Sequence, residues 1–389
     1  MRDAVVLYSA VDNLITRYRV NVDAATLDKQ ETIQAASRVQ YAWRHPSLNV
    51  LYVTTSSAGP HIKSEFSHVA AYGMDEDGRL SLLGSPKRLP DRAVHMCVDP
   101  KGKYILCAHN FPESGITVDR IEADGSIGNR VEQTSSGNFG IYPHQVMAFP
   151  SGNGALLIDR GNNSTKERQE EPGALRSYVL DDGQLAAHQV VAPDGGFGFG
   201  PRHIDFHPSG KWLYASDERT NSLHTFRVED DFIEPRPISM LPSLHNPERV
   251  HSRQLAGPIH VHPGGRWVYL ANRADGSVDR DGIRVFTSGE NNIAVYEIDS
   301  ETGIPSLRQH IDTESFHVRT FSCDPSGRLL VAASVRPLGT EVGGNVEIVP
   351  ATLSVFRIQE QGQLEFIRKY NVSTEGGEMQ YWSGLVPLQ

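Results

Sequence analysis

The chain has 389 residues, 39% hydrophobic and 22% charged, with 35 Gly and 23 Pro, enough apolar material for a large core but too rich in turn residues for a helical protein. A net charge of -10, with no basic run interleaved with aromatics, argues against nucleic acid as a partner, and no stretch approaches the roughly 20 apolar residues that cross a bilayer. The three cysteines, Cys97, Cys107 and Cys323, form no CxxC, and MRDAVVLYSAVDN meets a polar residue too early for a signal peptide, so a cytoplasmic protein without a disulfide scaffold is expected.

Two families of strand alternate along the chain. The first runs VVLYSAV, NVLYVTTSS, KYILCAHN, GALLIDRG, KWLYASDE, RWVYLANR and RLLVAASV, each mainly apolar and turning polar at its end. The second runs LITRYRV, HVAAYGM, GITVDRI, ALRSYVL, SLHTFRV, NIAVYEI and TLSVFRI, with the alternation of strands packed more on one face than the other. Turns such as DEDGRL, EADGSI, DDGQL and EQGQL follow most of the second family, with Gly free to take positive φ and Asp able to bond its own backbone.

Proline-centred turns at Pro46, Pro100, Pro150, Pro208, Pro263 and Pro325 precede six members of the first family at intervals of 54, 50, 58, 55 and 62 residues. Such a period matches the longer blade repeats of propellers, in which four-stranded units pack radially around a channel. The strands near Val5 to Val20 precede the first anchor, and EMQYWSGLVPLQ at the C-terminus lacks a partner pair. Joining them gives a seventh blade, so the expectation is an all-β, seven-bladed propeller closed by its N- and C-terminal strands, with residues 1–389 in a single domain. Two polar inserts, Gly161–Gly173 and Val278–Asn292, fall at corresponding turns and are placed to wall a pocket on one rim.

Six residues before each proline anchor stand Gln40, Val94, His144, Arg202, Gly257 and Arg319; ten after it stand Ser56, Asn110, Arg160, Glu218, Arg273 and Val335. Strand entries and the exits of antiparallel neighbours lie at one end of a blade. His144, Arg160, Arg202, Glu218, Arg273 and Arg319 are therefore expected to form one constellation, whose guanidinium groups near a single carboxylate call for an anionic ligand. Arginine binds carboxylate or phosphate through its planar fork, while His and Glu exchange protons. Neither GxSxG nor HExxH occurs, and His203, His207, His260 and His262 belong to strand-turn segments or HP turns, so serine catalysis, a metal centre and a cofactor are not expected.

The segments YPHQVMAFP (Tyr142–Pro150), GPRHIDFHPSGKWLYASDE (Gly200–Glu218) and GPIHVHPGGRWVYLANR (Gly257–Arg273) resemble the seven-bladed lactonase family, which includes bacterial 6-phosphogluconolactonases and fungal carboxy-cis,cis-muconate cyclases. The resemblance covers nearly the whole chain and implies catalytic roles for His144, Arg202, Glu218 and Arg273. Asn110, Arg160, His203 and Arg319 are counted as substrate-binding. Arg319 stands in HVRT where the phosphogluconolactonase-like branch has PRGF, and Arg160 in DRG where the family often has D-L-G. The expected activity is hydrolysis of an anionic sugar-acid lactone, with Glu218 or His144 taking the proton of water. Lactone isomerisation or cycloisomerisation on the same pocket, and a noncatalytic binding propeller, are the other readings open at this point.

Overall fold

The computed structural model describes residues 4–134 and 137–388; residues 1–3, 135–136 and 389 of the expected domain lie outside the described residues. Strands dominate, and the only helical turns among the described residues are the two short 3-10 turns Pro193–Gly196 and Glu375–Gly377. No helix is long and apolar enough to cross a membrane among those residues.

Seven antiparallel sheets are blades. Blade 1 pairs Thr26–Gln34, Leu14–Asn21, Val5–Val11 and the C-terminal Gln380–Pro387 in that order. The first strands of blades 2 to 7 are Arg38–Arg44, Ala93–Val98, Pro143–Ala148, Pro201–Phe206, Gln254–Val261 and Val318–Cys323. Each touches the first strand of the next blade, and Gln380–Pro387 touches those of blades 7 and 2.

Seven apolar clusters fill the seven seams between adjacent blades. Trp212–Asp217, the second strand of blade 5, shows why KWLYAS reads as a continuous apolar run. Leu213 and Ala215 pack into the seam with blade 4, while Trp212 and Tyr214 pack into the seam with blade 6. A strand buried on both faces loses the polar alternation of a half-exposed one. Cys97 and Cys107 are buried within such strands, and burial pushes the Cys97 thiol up to about 12.

Two repeated sequence signals meet across the seams. Second-strand tyrosines donate to glycine carbonyls in the outer turn of the following blade: Tyr52 to Gly125 at 2.8 Å, Tyr214 to Gly303 at 2.8 Å and Tyr269 to Gly362 at 3.0 Å, with Tyr8 bonded to Gly78. The HP turns are latches as well. His45, His207 and His262 each place Nε2 against a glycine carbonyl of the next blade, at 3.1, 2.8 and 2.9 Å.

An eighth sheet is no blade. The hairpin Ser277–Arg280 with Ile283–Phe286 from blade 6 meets the hairpin Leu338–Val342 with Asn345–Val349 from blade 7 through the parallel pairing of Val285 with Gly339. The expected polar insert Val278–Asn292 thus contains half of a small accessory sheet, and the other half comes from an insert that the repeat spacing does not mark.

Candidate active site

In every blade the pairing of first and second strands skips a residue near the start of the first strand. The skipped residues are Tyr381, Gln40, Val94, His144, Arg202 and Arg319, and in blade 6 the skip takes in Gly257 and Pro258. A β-bulge kinks the strand and re-aims the extra side chain. This is the physical content of the six-residue register before each proline. At Gly257 a Cβ would lie 2.8 Å from the Ala271 carbonyl oxygen and 3.1 Å from Arg273 Cδ, so glycine makes room for the second strand and for the arginine it carries.

Glu218, one residue beyond Trp212–Asp217, is pinned by its own N–H donating to the Gly200 carbonyl at 2.9 Å. Its side chain gathers arginines from three blades. Arg160 Nη1 donates to Oε1 at 2.9 Å, Arg273 Nη2 donates to Oε2 at 2.9 Å, and Arg202 Nε lies 2.8 Å from Oε2 without the alignment of a hydrogen bond. Arg202 is 1% exposed and Glu218 7%. The Nε groups of Arg202 and Arg273 are buried, and that of Arg273 has no acceptor among the described residues.

Burial alone would raise the Glu218 carboxyl, but Arg273, Arg160 and Arg202 outweigh it and hold it down at about 2. Burial, reinforced by Arg202 and His203, pushes the His144 imidazolium well below the usual histidine range. His144 is therefore neutral, and its Nδ1 has no partner among the described residues. Its ring lies 5.1 Å from that of His203, and Arg202 Nη1 donates to His203 Nδ1 at 3.3 Å. His203 reaches beneath the arginine, lining with His260, Tyr41 and Phe321 a channel cavity of about 210 Å³.

The remaining expected positions divide. Arg160 stacks over the Tyr142 ring at 4.5 Å while holding Glu218. Arg319 instead stacks over the Tyr381 ring at 4.2 Å and makes no ion pair with Glu218. Asn110 is buried at the end of the second strand of blade 3, and neither its amide oxygen nor its nitrogen has a partner among the described residues.

Three neighbours escaped the sequence reading. His317 Nε2 accepts from Arg273 Nη1 at 2.9 Å, and its Nδ1 lies 3.8 Å from Asp275, which also pairs with Arg253 at 2.6 Å and Arg336 at 3.2 Å at the root of the accessory sheet. Tyr381 occupies the bulge of blade 1, whose first strand comes from the C-terminus and so has no proline anchor to count from. Arg92 immediately precedes Ala93–Val98 and donates to Gln40 Oε1 at 2.7 Å, two residues outside the counted register. The insert Gly161–Gly173 is tied to blade 5 by Arg219, which donates to Asn163 Oδ1 at 2.9 Å and pairs with Glu170. Among the described residues no three His, Cys, Asp or Glu side chains group as metal ligands.

A family model described as Lactonase, 7-bladed beta-propeller, matches residues 7–336. The 6-phosphogluconolactonase of Bacillus subtilis is 28% identical over 304 residues, covering 74% of this chain and 78% of that protein. The 6-phosphogluconolactonase of Yersinia pestis is 23% identical over 374 residues, 96% of each chain. Among solved structures, the periplasmic gluconolactonase of Pseudomonas aeruginosa superposes with a TM-score of 0.72 over 99% of each chain at 18% identity.

Proposed function

The chain belongs to the seven-bladed β-propeller Lactonase family, and from that membership we propose that it hydrolyses an anionic sugar-acid lactone at the cluster around Glu218. The observation that carries this reading is the charge balance. Arg160, Arg202 and Arg273 share one carboxylate, so their donors outnumber its two oxygens, and the buried Nε of Arg273 has no acceptor among the described residues. A carbonyl oxygen that becomes an oxyanion supplies what those donors lack.

His144 takes the proton of the attacking water. Both Glu218 oxygens are taken up by Arg160, Arg202 and Arg273 and its carboxyl is held at about 2, whereas the neutral His144 imidazole has an Nδ1 with no partner among the described residues. Water oxygen bonds to the lactone carbonyl carbon as its proton passes to His144, and the oxyanion forms facing Arg202 and Arg273. Collapse breaks the ring ester C–O bond. The departing ring oxygen takes the proton from His144, so that one water is added overall. Glu218 acts as the counter-ion that keeps three guanidinium groups together.

The pairing of Gln380–Pro387 on Val5–Val11 supports reading blade 1 as the blade that closes the ring, with the chain forming one domain. Product-resolved NMR with phosphorylated, carboxylated and neutral lactones tests the function. Opened acid, formed faster than spontaneous opening, is the expected product. An isomeric lactone without net water addition, or no acceleration with any of the three, overturns it.

A further inference from the structure

Arg92 is 3% exposed, yet it has no carboxylate partner among the described residues; its Nε donates to Gln40 Oε1 at 2.7 Å, and Gln40 lines one cavity together with Tyr381. Arg319 likewise lacks a carboxylate and lies over the face of the same phenol. Two cations thus lie around one hydroxyl, neither with an ion pair among the described residues, although burying an unpaired guanidinium is costly. The Tyr381 hydroxyl is affected in turn. Burial would raise it, but Arg319, Arg92, Arg273 and Arg202 bring it below the usual phenol range. Asn110 stands across the ladder from Arg92, one step beyond the Ala93 to His109 pairing, with neither amide atom partnered among the described residues.

We propose that Arg92, Arg319 and Tyr381 form a second oxyanion subsite, which holds a phosphate or carboxylate substituent of the substrate remote from the carbonyl that Arg202 and Arg273 face. The identity of that substrate rests on the lactone reading; the anion preference rests on the side chains alone. The Tyr381 hydroxyl and the guanidinium forks supply donors, and Asn110 adds an amide at the same end of blade 3. This arrangement makes Tyr381 a specificity-determining member of the bulge ring.

Two measurements on the full chain test the proposal. The first is kcat/KM for 6-phosphogluconolactone, glucarolactone and unsubstituted gluconolactone in the parent, Arg92→Gln, Arg92→Lys and Tyr381→Phe, with folding followed by thermal melting. The ratio of anionic to neutral substrate is expected to fall at least tenfold in Arg92→Gln and Tyr381→Phe, mainly through KM, and to recover in part in Arg92→Lys. Whichever anionic lactone shows the larger fall identifies phosphate or carboxylate as the group held. An unchanged ratio in both variants overturns the subsite. The second is calorimetric titration with inorganic phosphate, which needs no turnover. Binding weakened at least tenfold by Arg92→Gln supports the subsite even if no lactone is hydrolysed, which would sink only the function reading. Equal phosphate affinity in parent and variant, or no binding by the parent, overturns the subsite itself.

Discussion

Glu218 holds Arg160, Arg202 and Arg273 with two oxygens, so neutralising it leaves three cations side by side with little solvent to screen them. Breaking one partner out of a buried ion cluster costs about 3–5 kcal/mol. Glu218→Gln is therefore expected to lower the melting temperature clearly at pH 7 as well as to reduce turnover; an unchanged melt would remove the counter-ion role. Its depressed acidity has a definite sign: the stability it contributes is present above the ordinary carboxyl value of 4.5 and is lost as pH falls toward about 2. Because His144 is pushed well below its usual range, its base form persists across neutral pH. After correction for spontaneous opening, kcat/KM for a lactone should be flat between about pH 6 and 8. A limb with an apparent pKa near 6.5 would contradict the assignment of a neutral His144. The residue types around Glu218 were legible from their register alone. Their protonation states were not, because these depend on how many arginines reach one carboxylate.

At the scale of the element, the repeats carried more information than a strand pattern. The recurring tyrosines and the glycine turns of the following blades are the two halves of seam latches, and the proline spacing locates a bulge in six of the blades. Gly362 has φ +73° and a Cβ there would sit 2.0 Å from Trp267, whereas Gly343, with φ +59°, has open space around it. Gly362→Ala should cost at least about 2 kcal/mol in denaturant unfolding and Gly343→Ala about 1, since only the former adds a clash to backbone strain. Equal costs would refute the latch-seam packing. Tyr381 escaped the register because its blade is assembled from both ends of the chain. The accessory sheet escaped because a parallel bridge between Val285 and Gly339 leaves no local signal in either hairpin.

For the molecule as a whole, two buried histidines at the channel wall, His95 and His203, stay neutral. His95 packs against Tyr41 at 3.9 Å and near His203 at 5.9 Å, neither of its ring nitrogens has a hydrogen-bond partner among the described residues, and burial with Arg202 nearby pushes it down to about 3. Its folded state resists protonation while the unfolded chain accepts it near 6.5, so stability falls as pH drops below that value. At pH 5 this one group accounts for about 2 kcal/mol. The melting temperature of His95→Phe should accordingly decline less between pH 7.5 and 5 than that of the parent; parallel declines would contradict a neutral channel histidine. The seven-bladed plan was readable because each blade repeats the same burial problem, whereas the wiring of the mouth depends on contacts between blades.

Lactone opening at this site depends on the rigid guanidinium fork of Arg202, and a pH-stat comparison of acid release by the parent and Arg202→Lys tests that role most directly. Lysine keeps the charge and loses the planar two-donor geometry. With both proteins shown to be folded, the parent is expected to open an anionic lactone well above the spontaneous rate and the variant to lose at least about tenfold in kcat/KM, the equivalent of 1.4 kcal/mol or more of transition-state stabilisation. Equal rates in parent and variant, or a parent no faster than buffer, would contradict it.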